Sequence, residues 1–173
     1  MILVFQESYL IEGVLSRLND KMAGFLRKLG KRKFWTGGYG ETVLLASQDT
    51  IRADKILLKG LGERSLFDDQ ILIDSAKEVS RTLDRLKIKE FGLHIPVVVG
   101  SMERYAYHME LSIRHLVGPF FQNHHDESNF LLKIVFSIDR YLPNNLNPLV
   151  ERLRAYFDPV LDLSIIIDRT DHN

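Results

Sequence analysis

Lys55-Ile56-Leu57-Leu58-Lys59-Gly60-Leu61-Gly62, followed three residues later by Ser65-Leu66-Phe67-Asp68, decides the fold class. Lys55 to Lys59 is rich in branched aliphatics and reads as a strand closed by Gly60-Leu61-Gly62. Ser65 with Asp68 three residues on is a capping-box-like start. Behind it Leu72, Ala76, Val79, Leu83 and Leu86 recur at helical spacing along one face. A strand, a glycine turn and a helix in succession are the repeating unit of an α/β protein.

The alternation continues on both sides. Upstream, Ile2 to Phe5 reads as a strand, and Ile11, Val14, Leu15, Leu18, Met22, Phe25, Leu26 and Leu29 mark one long amphipathic helix. Ser8 is its candidate N-cap and Gly30 its stop. Thr42 to Ser47 is a further strand. Downstream, Phe91 to Ile95 is a strand stopped by Pro96, with Val97 to Gly100 either extending it or forming a loop. From Ser101, Met102, Tyr105, Ala106, Met109, Ile113 and Leu116 form a helix face that Gly118-Pro119 should end, and Gln122 to Asn129 reads as a solvated loop. Leu131 to Ile138 is a strand, and Asn147-Pro148 opens a helix with Leu149, Val150, Leu153 and Phe157 inside. Leu161 to Ile167 reads as a last strand covered on both faces. The expectation is one domain over residues 1–173: three layers, with a mixed, mainly parallel central sheet of about six strands flanked by four helices.

Composition sets the outer bounds. A chain of 173 residues, 45% apolar and 27% charged, buries ~70% of its unfolded surface without disulfides. Its 23 basic and 23 acidic residues cancel, which argues against a nucleic-acid or anionic-membrane binder. Apolar runs such as Leu163-Ser164-Ile165-Ile166-Ile167 fall far short of the ~20 residues of a membrane span. The start lacks a basic leader and the chain lacks cysteine, so a cytoplasmic location is expected.

Gly60-Leu61-Gly62 invites a phosphate-binding reading, because a loop after a parallel strand is where α/β sheets bind ligands. A dinucleotide fingerprint would need glycine where Ser65 stands and an acid where His94 and Ile95 stand. Gly37-Gly38-Tyr39-Gly40 lacks a P-loop lysine-serine pair and reads as a flexible turn. Arg27, Lys28, Lys31, Arg32 and Lys33 sit beside Phe34 and Trp35, but cations at a helix's last turn suit its dipole without any partner. His124-His125-Asp126-Glu127 has no recognisable fifth ligand, so a solvated loop is expected. His108 and His115 lie about 10.5 Å apart along a helix, too far to share an ion. Tyr105 and Tyr107 read as packing. Asp68, Asp69 and Asp74 sit in or near a helix's first turn, where negative charge stabilises the helix. No nucleophile motif is present.

Lys33-Phe34-Trp35-Thr36-Gly37-Gly38-Tyr39-Gly40-Glu41-Thr42, a spacer, and then Lys55 to Gly62 resemble the amino-terminal domain of the leucine (cytosol) aminopeptidase family. The likeness continues through Leu86-Lys87-Ile88-Lys89-Glu90-Phe91-Gly92-Leu93-His94-Ile95-Pro96 and covers roughly residues 1 to 138. The resemblance implies a macro-like domain that, in the family, precedes a catalytic domain carrying two divalent metals and helps assemble a hexamer. The family's Gly-Lys-Gly, Asp-Ser-Gly-Gly and Asn-Thr-Asp-Ala-Glu-Gly-Arg stretches have no counterpart here, so no catalytic or metal-binding residue carries over and no cofactor is expected. Residues 147–167 suggest a self-contained product.

The expectation is therefore a non-catalytic, stand-alone relative that acts through self-association or as the partner of a peptidase. The alternatives are a macro-like module that binds ADP-ribose or another nucleotide, with Gly60 and Gly62 as candidate contacts, and a fragment of a metallo-aminopeptidase.

Overall fold

The computed structural model describes residues 1–6, 13–47, 49–97, 101–136, 146–162 and 164–166. β1 (Ile2–Phe5), β2 (Thr42–Ala46) and β3 (Lys55–Gly62) form a sheet ordered β1-β3-β2, while β4 (Glu90–Leu93) and β5 (Lys133–Phe136) form a second pair. β1 runs parallel to β3, β4 runs parallel to β5, and β2 is antiparallel to β3. A parallel bridge between Ile2 and His94 joins the two sheets, with Leu3 N–H donating to the His94 carbonyl at 3.1 Å. The helices are α1 (Gly13–Lys21), α2 (Phe25–Lys31), α3 (Asp69–Arg85), α4 (Met102–His124) and α5 (Asn147–Phe157), with a 3₁₀ turn at Arg64–Leu66.

Alternation along the strands sorts the core into two layers. Leu3, Phe5, Leu57 and Leu61 meet the apolar faces of α3, α4 and α5, including Leu72, Val79, Leu116, Phe120 and Leu153. Ile2, Val4, Ile56 and Leu58 face the other way, against Leu15, Leu18, Leu26 and Trp35. β3 is buried along all but its first residue, as expected of a strand covered on both faces.

Several expectations are corrected. Among the described residues there are five strands and five α-helices, not six and four. The expected strand Leu161–Ile167 is absent from residues 161–162 and 164–166, where Ile166 stands 86% exposed, and Leu163 and Ile167 lie outside the described residues. A short apolar run has strand character only if a neighbour offers it a ladder, and no described strand pairs with it.

The long first helix is two. Ala23 takes φ 50° and Gly24 φ 76°, and Gly24 N–H donates to the Asn19 carbonyl while Ala23 N–H donates to that of Asp20, a Schellman ending. The buried Asn19 side chain then caps α2 by accepting from Arg27 N–H at 3.0 Å. Gly30 is not the stop: α2 passes through it, and Lys33, at φ 55°, takes the left-handed position. The candidate cap Ser8 lies outside the described residues.

Gly60-Leu61-Gly62 belongs to the strand it was expected to close, since Gly60 pairs with Val4 and Gly62 with Phe5. Asp68, not Ser65, caps α3, accepting from Ile71 N–H at 2.8 Å. α4 runs through Gly118-Pro119 to His124. Pro119 removes one helical hydrogen bond, but carrying the helix onward buries Phe120 next to Leu116 in the core, a gain comparable with the loss.

Candidate functional site

The glycine loop after Trp35 is built around one carboxylate. Trp35 is buried in the α1–α2 layer and fixes the loop's entry, while Phe34 beside it is 73% exposed. Glu41 Oε2 then accepts three successive backbone N–H groups, from Thr36 at 2.7 Å, Gly37 at 3.0 Å and Gly38 at 3.2 Å. The Thr36 hydroxyl donates to the same carboxylate at 3.3 Å. Three converging N–H groups make an anion-binding concavity, and here the chain fills it with its own side chain.

That turn lies directly on β3. A Cβ at Gly60 would stand 2.1 Å from the Gly38 carbonyl oxygen and 2.6 Å from the Gly37 carbonyl carbon, so only glycine fits beneath it. Gly60 N–H donates to the Glu41 carbonyl at 2.8 Å, and Gly62 N–H donates to the Gly37 carbonyl at 3.0 Å. Gly62 has φ 78° and lies under Tyr39. Both candidate contact residues thus sit under the glycine loop with their N–H groups already committed to main-chain acceptors.

Lys59, between them and the apolar run, is only 1% exposed and points to the opposite face. Its ammonium donates to the Gly40 carbonyl at 3.2 Å, to Thr42 Oγ1 at 3.3 Å and to the Glu78 carboxylate of α3. All three of its donors are used, so this buried charge ties the glycine loop, β2 and α3 together. Beside it a groove of about 630 Å³ runs between Thr42, Glu78, Arg81, Asp84, Arg85 and Asn123.

At the far end of that groove is a second polar cluster. His124, at the end of α4, places Nε2 2.7 Å from Asp84 Oδ1 and Nδ1 2.5 Å from Glu127 Oε1. Asn123 also donates to Asp84, at 2.8 Å. These contacts raise the His124 pKa, the hydrogen bond to Asp84 being the largest cause, and the same bonds lower the pKa values of Asp84 and Glu127. The expected solvated loop at His124-His125-Asp126-Glu127 is corrected at one residue: His125, Asp126 and Glu127 are exposed, whereas His124 ends α4 and folds back onto α3. Among the described residues no group of three or more acidic, histidine or cysteine side chains is arranged to hold a metal ion.

The remaining sequence candidates are placed separately. His108 is buried, with Nε2 3.4 Å from Asp69 Oδ1 and its ring edge-on to Phe67, and burial lowers its pKa. Burial likewise lowers that of His115. Tyr105 is core, its hydroxyl donating to the Ile95 carbonyl at 3.4 Å. Tyr107 stands half-exposed, and its hydrogen bond with Asp69 raises its pKa. Arg27, Lys28, Lys31, Arg32 and Lys33 are all exposed around the end of α2. Glu110, nearly buried on α4, was not singled out from sequence. It accepts from Arg114 Nη2 at 2.6 Å and from Arg152 Nε of α5 at 2.5 Å, while the Arg114 guanidinium lies 4.1 Å from the Tyr156 ring centre. A lone acid amid a helix's apolar face is the signal for such an anchor; Arg114 stands one helical turn along, but Arg152 lies 42 residues away.

Fold and loop together define a mixed-sheet α/β domain whose glycine turn is packed shut over the central strand. Residues 1–113 match the N-terminal domain of the cytosol aminopeptidase family, and the chain belongs to that family. It is 32% identical over 92 residues to a probable cytosol aminopeptidase of Synechocystis sp., covering 53% of this chain and 19% of that protein. It is 28% identical over 139 residues to one from Paraburkholderia phymatum, covering 77% of this chain and 28% of that protein. The chain therefore spans less than a third of the length of these relatives. Among solved structures, a mutant of tomato leucine aminopeptidase superposes with a TM-score of 0.67 at 13% identity, over 88% of this chain and 32% of that one, a likeness of fold.

Proposed function

We propose that this chain acts without chemistry of its own, as an assembly module of the aminopeptidase family that associates with itself or with a peptidase subunit. The observation that carries this reading is where the match falls, on the family's N-terminal domain. An exposed apolar edge supports it. Among the described residues β5 pairs only with β4, and Val135 on that strand and Leu131 just before it are 54% and 76% exposed. An open strand edge with large apolar side chains is the kind of surface that a partner covers. The bridge joining the two sheets supports treating residues 1–173 as one domain. A cytoplasmic site of action goes with relatives named as cytosol enzymes, and no described helix is long and apolar enough to cross a membrane.

Sedimentation velocity across a concentration series tests the proposal, with Val135→Asp as the variant. Self-association that weakens in the variant, or co-purification of a peptidase, is the expected result. A monomer at every concentration with no peptidase in pull-downs would overturn it. Leucyl-anilide incubated with the purified chain and manganese or zinc should give no turnover, and hydrolysis that persists through purification would refute the absence of chemistry.

A further inference from the structure

We propose that His124 is a proton-operated clasp that fastens the segment leading into β5 against the C-terminal turn of α3. Both ring nitrogens face carboxylate oxygens, Nε2 at 2.7 Å from Asp84 and Nδ1 at 2.5 Å from Glu127. A carboxylate only accepts, and a neutral imidazole has a single N–H. Both contacts are therefore made together only by the imidazolium, and loss of the proton sets a lone pair against one of the two carboxylates.

The surroundings make this clasp structural rather than ornamental. The imidazole lies flat on Phe130, with centroids 4.2 Å apart and planes 11° apart. On the same ring sits the Lys89 ammonium, 4.6 Å from its centre and 3.5 Å from Glu127 Oε2. Phe130 N–H donates to the Glu127 carbonyl at 3.1 Å, and three residues later Lys133 N–H donates to the Lys89 carbonyl at 2.8 Å, where β5 joins β4. The charged groups facing His124 are thus Asp84 from α3, Glu127 from the turn after α4 and Lys89 from the approach to β4. The two acids outweigh the more distant lysine.

The sign follows from linkage. A histidine whose pKa is raised on folding contributes stability that is complete below its ordinary value of ~6.5 and is lost as pH climbs through the raised value. The clasp is therefore shut in mildly acidic solution and opens towards alkaline pH. What it frees is the Glu127–Phe130 turn and the docking of β5, the strand that carries the exposed edge.

The experiment is a proton NMR titration of the histidine ring signals, with hydrogen exchange at the amides of Lys133 to Phe136 corrected for intrinsic rates. In the unaltered chain His124 should titrate above the ordinary histidine midpoint, and β5 protection should fall at least threefold across that titration. Asp84→Asn should lower the midpoint, and His124→Gln should make β5 protection independent of pH. A midpoint at or below the ordinary value in the unaltered chain would overturn the proposal whether or not the variants fold. So would β5 protection that ignores pH.

Discussion

Replacing Gly60 by alanine measures how tightly the glycine loop is pinned to the central strand. The added Cβ would lie 2.1 Å from the Gly38 carbonyl oxygen, against a normal carbon–oxygen separation of ~3.3 Å, so the loop must retreat by roughly 1 Å. The obstructing atoms are main chain and have no rotamer through which to escape. The retreat stretches the two hydrogen bonds that the loop makes with Gly60 and Gly62, at ~1 kcal/mol each, and overpacking adds ~1–3 kcal/mol. The expected loss is about 3–5 kcal/mol, a large share of the ~5–15 kcal/mol typical of a domain. Urea unfolding followed by fluorescence suits the question because the chain has a single tryptophan, Trp35, buried at the entrance to this loop. Gly118→Ala is the internal contrast. Nothing lies within 4 Å of its Cβ, and alanine in a helix interior should gain ~1 kcal/mol. A Gly60→Ala protein within about 1 kcal/mol of the parent would refute the packing argument.

Three further outcomes are expected. Glu41→Ala strips the acceptor from the N–H groups of Thr36, Gly37 and Gly38 and should cost about 2–4 kcal/mol, with Glu41→Gln costing less; equal losses in urea unfolding would show that the charge is immaterial. Pro119→Ala restores a donor inside α4 and should raise stability by about 1–3 kcal/mol, whereas a fall in the unfolding midpoint would mean that the proline is needed where it is. Titration calorimetry with ADP-ribose should give no heat, because the N–H groups of Gly60 and Gly62 already have acceptors; saturable heat lost in Gly62→Ala would reverse that expectation.

Local chemistry determined much of this protein from sequence alone. The stripe Leu72, Ala76, Val79 and Leu83 marks α3, Asn147-Pro148 marks the start of α5, and Ile2 to Phe5 marks β1, because periodicity and capping are written in neighbouring residues. The run from Lys33 to Gly62 likewise carried the family resemblance. Where a local signal competed with a distant contact, the tertiary structure decided. Pro119 argued for a helix end and was overruled by the burial of Phe120, while Leu161 to Ile167 had strand composition but no described neighbour to pair with. Gly60-Leu61-Gly62 reads locally as a turn that closes a strand, and only the packing keeps Gly60 and Gly62 within β3 with the glycine loop across them. Lys59 with Glu78, and His124 with Asp84, meet across 19 and 40 residues. A charge in a strand or at a helix end announces that it needs a partner, and only the packing of one element on another determines which residue that partner is.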